Sequence, residues 1–180
     1  MWSWDARSAL AKTAIVIAVV VVAALAAGAF RSDIVEGGTI EVIAVIDGDT
    51  IEVATGRRVR LVQIDAPEGG EGECWADEAT TELRELLPPG TRVRLERDAS
   101  LDDVDRFDRL LRYVFKGDTN VNLALVERGA ASVWFFDGGR GRYAGDFLEA
   151  AREAKARRRG LWGRCPRTKL DRVRAVETDR

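Results

Sequence analysis

Three short stretches of this chain gather residue types that can do chemistry. The first is Asp47-Gly48-Asp49-Thr50, two carboxylates and a hydroxyl around a glycine. The second is Arg60-Leu61-Val62-Gln63-Ile64-Asp65-Ala66-Pro67-Glu68, an arginine followed by two carboxylates that flank Ala-Pro. The third is Asp105-Arg106-Phe107-Asp108-Arg109, alternating acid and base just before an apolar run. Carboxylate oxygens suit hard cations and can take a proton from water. A guanidinium is a planar donor fork that stays charged at any working pH and matches phosphate oxygens. Any hydrolytic chemistry would have to come from such carboxylates, arginines and hydroxyls, with a hard, oxygen-loving metal. The rest of the composition narrows the field, because the 180 residues include no His and only two Cys. A Ser-His-Asp triad, a His general base, a His-metal site and a Cys-rich structural zinc site are therefore excluded. Taken singly, each stretch also has a plainer reading. Asp47-Gly48 reads as a hairpin turn, and residues 105–109 read as a solvated charged loop.

The elements that must position these residues can be read from periodicity. Residues 39–46, 50–54 and 59–64 alternate Val or Ile with polar residues and predict three strands, joined at Asp47-Gly48 and Thr55-Gly56. Residues 92–96 and 110–115 predict two more. Helical spacing runs over 75–87 up to Pro88-Pro89-Gly90, over 120–127 up to Gly129, and over 143–159 up to Gly160. Strands first, then a helix, two strands and more helices make an α+β chain. The order suits a small Greek-key barrel, which is attractive because closure removes exposed strand edges. In this frame Arg60 lies on the third strand, and Asp65 and Glu68 sit at its end. Pro67 biases Ala66 toward extended backbone, which leaves the Ala66 carbonyl free to point away from the ladder. The tail, residues 166–180, is polar and is expected to be loose.

The N-terminus poses a different solvent problem. Residues 13–30 form an uncharged run of 18 residues, TAIVIAVVVVAALAAGAF. As a helix it would be about 27 Å long, close to the thickness of a bilayer's hydrocarbon core. Arg7 and Lys12 precede it and Arg31 follows, which favours an N-terminus in the cytoplasm and the remaining chain outside it. Residues 1–33 are thus expected to be a membrane anchor or a signal segment cleaved near Ala27-Gly28-Ala29, and 34–38 a linker before a single domain at 39–165. Trp2 and Trp4 fit a membrane interface. Export agrees with Cys74 and Cys165, which could form a disulfide in an oxidising compartment. Spacing alone leaves open whether they pair or remain free thiols.

Taken together and in this order, DGDT, then R-L-x-x-I-D-A-P-E, then D-R-x-x-R before an apolar strand, the chain resembles the staphylococcal nuclease family from about Gly38 to Trp162. The closing Gly160-Leu161-Trp162-Gly163 is similar to the end of the last helix in bacterial members. The resemblance implies an OB-type five-stranded β-barrel with three packed helices. It also implies calcium-dependent hydrolysis of DNA and RNA to 3′-phosphate ends. Position by position, it implies that Asp49 and Asp65 are carboxylate ligands of Ca²⁺ and that Ala66 offers a backbone carbonyl ligand. Glu68 is then the general base, and Arg60 and Arg109 bind phosphate. Paired cysteines near positions 74 and 165 also occur in exported relatives. Substitution of Arg60 or Glu68 by Ala is expected to leave a folded, nearly inactive protein.

The chain departs from the family's pattern at four places. Asp108 stands where Gly usually precedes the second arginine, and it could pair with Arg109. Phe107 replaces a common Tyr, Phe135 stands at a nucleotide-stacking Tyr, and Ala66 replaces Thr. Trp134 and Trp162 read as core aromatics. Beyond residue 33 the chain has 25 basic and 28 acidic residues, so its pull on a polyanion rests on the local cluster Arg152, Lys155, Arg157, Arg158, Arg159, Arg164 and Arg167. The expected partners are DNA and RNA, single-stranded or frayed, and a membrane through the N-terminal helix; a monomer is expected. Two competing readings are a non-catalytic OB-type module that binds nucleic acid or another partner, and a membrane-tethered structural protein. Degenerate copies of the fold lose the acids or arginines, whereas all five side chains are present here.

Overall fold

The computed structural model describes residues 38–178, which begin at the last residue of the expected linker. The expected anchor or signal segment, residues 1–33, lies outside the described residues. Among those described, no helix is long and apolar enough to cross a membrane.

Strands β1 (Thr39–Val45), β2 (Thr50–Val53) and β3 (Arg58–Leu61) form an antiparallel meander. A register shift between Val42 and Ala44 bends β1, so that its first half pairs with β5 (Arg92–Glu96) and its second with β2. Strand β5 pairs antiparallel with β6 (Leu110–Lys116), and β6 runs parallel to β3, with Arg60 opposite Leu111. That parallel contact closes a five-stranded mixed barrel. Its interior is filled by Val42, Ile51, Val53, Val59, Leu61, Val93 and Val114, all fully buried.

Two short pairs complete the sheets: β4 (Ile64–Asp65) with β8 (Ser132–Val133), and β6 with β7 (Thr119–Asn120). Three helices of eight or more residues lie among the described residues. They are α1 (Ala76–Leu86), α2 (Val121–Arg128) and α3 (Ala144–Ala156), and a last turn, α4 (Leu161–Arg164), follows. Asn120 caps α2 by accepting the Leu123 N–H at 3.2 Å, and Gly129 ends it in the left-handed region.

The strand expected over 59–64 is in fact two. Gln63 turns the chain with φ 68°, and its amide is held by the Gly139 carbonyl and the Gly141 N–H, each at 2.9 Å. Asn122, fully buried on α2, donates to the Val62 and Arg112 carbonyls at 3.0 and 3.2 Å and accepts the Val114 N–H at 2.9 Å. The backbone groups at the break keep partners: Asn122 holds the Val62 carbonyl, the Val62 N–H donates to the Arg112 carbonyl and the Gln63 carbonyl accepts the Trp134 N–H, each at 3.0 Å, so the break costs little. Its consequence is that Ile64 and Asp65 leave the barrel wall to pair with β8, and Asp65 meets Arg60 beside the turn before β2.

Candidate active site

The turn between β1 and β2 carries Asp47-Gly48-Asp49-Thr50, and Asp47 Oδ1 accepts the Asp49 N–H at 3.1 Å. Gly48 is needed for a close approach: a Cβ there would stand 2.6 Å from the Ala66 Cβ and 3.0 Å from that of Ala79 on α1. The hairpin turn is thereby pressed against the Asp65-Ala66 segment. Asp49 is 2% exposed and Asp65 5%.

One guanidinium serves both acids. Arg60 Nη2 lies 2.8 Å from Asp49 Oδ2 and 2.5 Å from Asp65 Oδ1, while its Nη1 donates to the Leu61 and Ile64 carbonyls at 2.8 Å each. Asp49 also accepts the Ala66 N–H at 2.8 Å and the Thr50 hydroxyl at 3.1 Å. The turn, the strand end and the third-strand arginine thus form one cluster. Both acids carry raised pKa values: burial is the main cause, Arg60 opposes it, and Asp47 adds to it. Glu68, exposed at the mouth, also titrates above its usual range, through partial burial and then the fields of Asp47 and Asp65. A single cation facing this many acids leaves excess negative charge, which is the electrostatic condition for a further cation.

Asp49 and Asp65 are of the ligand type that suits a hard ion. Two carboxylates, a nearby carbonyl and water make an all-oxygen shell. Among the described residues no three acidic, His or Cys side chains converge as a closed ligand set, so backbone and water would have to complete the coordination. Ser132, paired with Asp65 across β4 and β8, keeps a buried hydroxyl without a partner on this side.

Arg60 also borders a cleft of about 470 Å³, whose lining includes Arg109, Phe107, Trp134 and Phe136. Arg109 is tied through Nε to Asp105 Oδ2 at 2.7 Å, and its guanidinium lies 5.3 Å from the Phe107 ring centroid. Among the described residues its two terminal nitrogens carry no hydrogen bond, and the side chain, 24% exposed, lines the cleft. Asp108 does not pair with Arg109: it approaches Arg57 at 3.4 Å. It also sits at φ 62°, the left-handed region that glycine tolerates best.

Two expectations about aromatic residues need correction. Phe135 is 1% exposed and is part of the core, so it cannot stack on a base. Its neighbour Phe136 is 61% exposed and lines the cleft. Trp134 is not a core residue. It is half-buried on the cleft, edge-on to Phe136 at 5.6 Å and 5.9 Å from Arg60. The chain enters a 3-10 turn at Phe136, which sends its ring outward while Phe135, just before the turn, faces the core; no local sequence pattern says which of the two is which. Trp162, 8% exposed, is a core residue as expected.

Cys74 and Cys165 form a disulfide across a sequence separation of 91, with Cα atoms 6.0 Å apart. In the chain-entropy model a loop of that size gains about 4–5 kcal/mol.

Carboxylates and guanidinium groups gathered as in the Asp49, Asp65, Arg60 and Arg109 region suit hard cations and phosphate oxygens, the requirements of a barrel that handles phosphodiesters. Comparison with known proteins narrows that class to one family. Residues 58–164 match the family model described as staphylococcal nuclease homologue. The micrococcal nuclease of Shigella flexneri is 34% identical over 139 residues, covering 68% of this chain and 72% of its own. Protein ParB of Escherichia coli is 33% identical over 169 residues, or 86% and 84%. The thermonuclease of Staphylococcus intermedius is 31% identical over 136 residues, or 72% and 79%. The chain belongs to the staphylococcal nuclease family, a family of phosphodiester-hydrolysing enzymes. The matched span contains Arg60, Asp65, Ala66, Glu68 and Arg109, with Asp49 just upstream of it.

Proposed function

We propose that this protein is an exported, calcium-dependent nuclease that hydrolyses the phosphodiesters of DNA and RNA, leaving 3′-phosphate ends. The observation that carries the reading is Arg60, which joins two buried carboxylates to a cleft where a second arginine presents an open fork. In this reading Asp49, Asp65 and the Ala66 carbonyl hold Ca²⁺. The bound ion would neutralise the acids and polarise a phosphate oxygen.

The chain's own residues do the rest. Glu68, whose carboxylate holds no partner among the described residues, takes a proton from water as the water oxygen bonds to phosphorus. The bond from phosphorus to the 5′ oxygen breaks, the leaving oxygen takes a proton, and the phosphate stays on the 3′ oxygen. Arg109 binds equatorial oxygens with its free fork, where charge grows in the transition state. Phe107, Phe136 and Trp134 give bases flat apolar faces, which favours single-stranded or frayed substrate because a paired base keeps its faces stacked. The barrel, closed by β3 against β6, we read as OB-type.

A binding module that does not cut would need neither an unpartnered Glu68 nor an arginine shared by two buried acids. Export is supported by the disulfide, which persists in oxidising compartments, together with the apolar run at 13–30. The deciding experiment incubates the purified protein with single-stranded DNA and with RNA, in Ca²⁺ and then in chelator. Calcium-dependent fragments ending in 3′-phosphate are expected. Fragments formed equally in chelator would overturn the calcium reading, and no fragments in either condition would overturn the nuclease.

A further inference from the structure

The polar C-terminal stretch, expected to hang loose, is stitched onto the site. It leaves the disulfide at Cys165, where the Thr168 N–H donates to the Cys165 carbonyl at 3.1 Å. Leu170 packs against the cluster of Ala154, Leu161, Trp162 and Cys165. The Arg172 carbonyl accepts the Phe135 N–H at 2.6 Å. Val176 is buried, and its N–H donates to Asp65 Oδ2 at 2.8 Å. Thr178 then donates from its hydroxyl to the Cys74 carbonyl at 2.9 Å. Residues 166–178 therefore form a strap that starts at one half of the disulfide and returns to the other, which lowers the entropy lost when the strap docks.

Few apolar side chains hold this strap down, so packing alone accounts poorly for its path. Its most specific contact is polar: the Val176 amide meets the Asp65 oxygen that Arg60 does not hold. Asp65 thereby has both oxygens oriented, one by a guanidinium and one by an amide 111 residues away in sequence. Partners of this kind fix the direction of a ligating carboxylate, and their loss typically weakens metal binding ~10–100-fold.

We infer that the strap is part of the site, its Val176 amide being a positioning group that holds Asp65 in the orientation in which it and Asp49 take a divalent cation. The inference rests on the calcium reading above. It is tested in the full-length chain by Ca²⁺ titration calorimetry, with thermal unfolding in chelator as the check on the fold. V176P removes the N–H donor. V176A keeps the donor and trims the side chain, and V173P removes an exposed amide of the same strap that bonds only Asp171. A chain ending at Arg174 removes the donor without introducing proline.

V176P and the shortened chain are expected to raise the Kd for Ca²⁺ about 10-fold or more, with V176A and V173P within about two-fold of the parent. Unchanged affinity in whichever donor-less variant still unfolds cooperatively would overturn the strap's role. So would equal losses in V176A and V176P, which would assign the effect to packing. Tighter binding would make the strap a brake and overturn it as well. A parent protein that binds no Ca²⁺ would sink both this inference and the calcium reading.

Discussion

Arg60 and Arg109 border the same cleft, but one is spent and the other is available. Arg60 is buried, and its two terminal nitrogens are committed to two carboxylates and two carbonyls. Arg109 is partly exposed, anchored through Nε alone, and keeps its terminal nitrogens open. Burying charges is expensive, and a site recovers that cost only with fixed geometry and a full set of partners. The acid side of the site is accordingly rigid, with the Asp49 turn, β3 and the strap locked through shared hydrogen bonds. The arginine and aromatic side is more exposed, with Phe107 64% and Phe136 61% accessible, and Arg109 is anchored there through Asp105. The difference teaches that a residue's share in catalysis and its share in folding need not coincide, and substitution can separate them.

The largest effect is expected at the rigid side. Arg60→Ala frees the two carboxylates from the orientation in which they would hold an ion, and partners of that kind are typically worth ~10–100-fold in metal affinity or activity. It also strands two buried acids, which costs ~3–5 kcal/mol. The expectation of a fully folded Arg60→Ala protein is thus revised by the geometry: chemical denaturation should show clear destabilisation along with lost nuclease activity. Glu68→Gln is the contrast that keeps the comparison sharp. Glu68 is exposed and unpartnered through its side chain, and its pKa is raised, so the rate should fall ~10²–10⁴-fold while the unfolding midpoint at neutral pH stays the same or rises slightly. Equal stability in Arg60→Ala and the parent would break the distinction.

Arg109→Ala comes next. Turnover on single-stranded DNA should drop by about 10²-fold, while stability changes by no more than about 1 kcal/mol, because the lost ion pair with Asp105 is partly solvated. A large loss of stability here would show that the open side is as structural as the buried one.

Phe136→Ala is smaller again and should act on KM. Stacking of one base on an aromatic ring is worth ~1–3 kcal/mol. KM for a short oligonucleotide should therefore rise at least several-fold, with kcat nearly unchanged and no change in melting. Phe135→Ala should do the reverse, unfolding the core and leaving the surviving protein's KM alone.

The contrast also explains what could be read from residue order. Barrel strands alternate and the helical patterns run up to Pro or Gly stops, so five strands and three helices were legible. So was the acid–arginine set, whose members lie within a few residues of strand ends. What stayed hidden depends on contacts far apart in sequence. The break after Leu61 is stabilised by Asn122, whose role no local pattern announces. The choice between Phe135 and Phe136 rests on where the chain turns at residue 136 and which side of that turn meets the core. The strap looked like an ordinary polar tail because its key donor is a backbone amide, which any residue but proline supplies.

The mildest test lies at the joint between the two regions. Asp105 accepts the Phe107 and Arg109 N–H groups on one oxygen, each at 2.9 Å, and Arg109 Nε on the other. Burial alone would raise its pKa. That effect is outweighed by the Arg109 amide, the Arg109 guanidinium and the Phe107 amide, so the net shift is downward. A carboxyl whose pKa is lower when folded stabilises the native state above its unfolded pKa of ~3.9, and that stability is lost as pH falls through the folded value. Asp105→Asn keeps an acceptor for the two amides but turns an NH₂ toward the Arg109 Nε. A loss of about 1 kcal/mol is expected at neutral pH, shrinking below about pH 4 as the parent's own carboxyl takes up a proton. Turnover should fall by only a few-fold, through a less well anchored Arg109, in keeping with a loss of about 1 kcal/mol. Urea melts of the parent and Asp105→Asn proteins at several pH values check the linkage. A stability gap that persisted undiminished in acid would mean that Asp105 orders its loop by shape alone and that its charge does nothing to aim the open arginine.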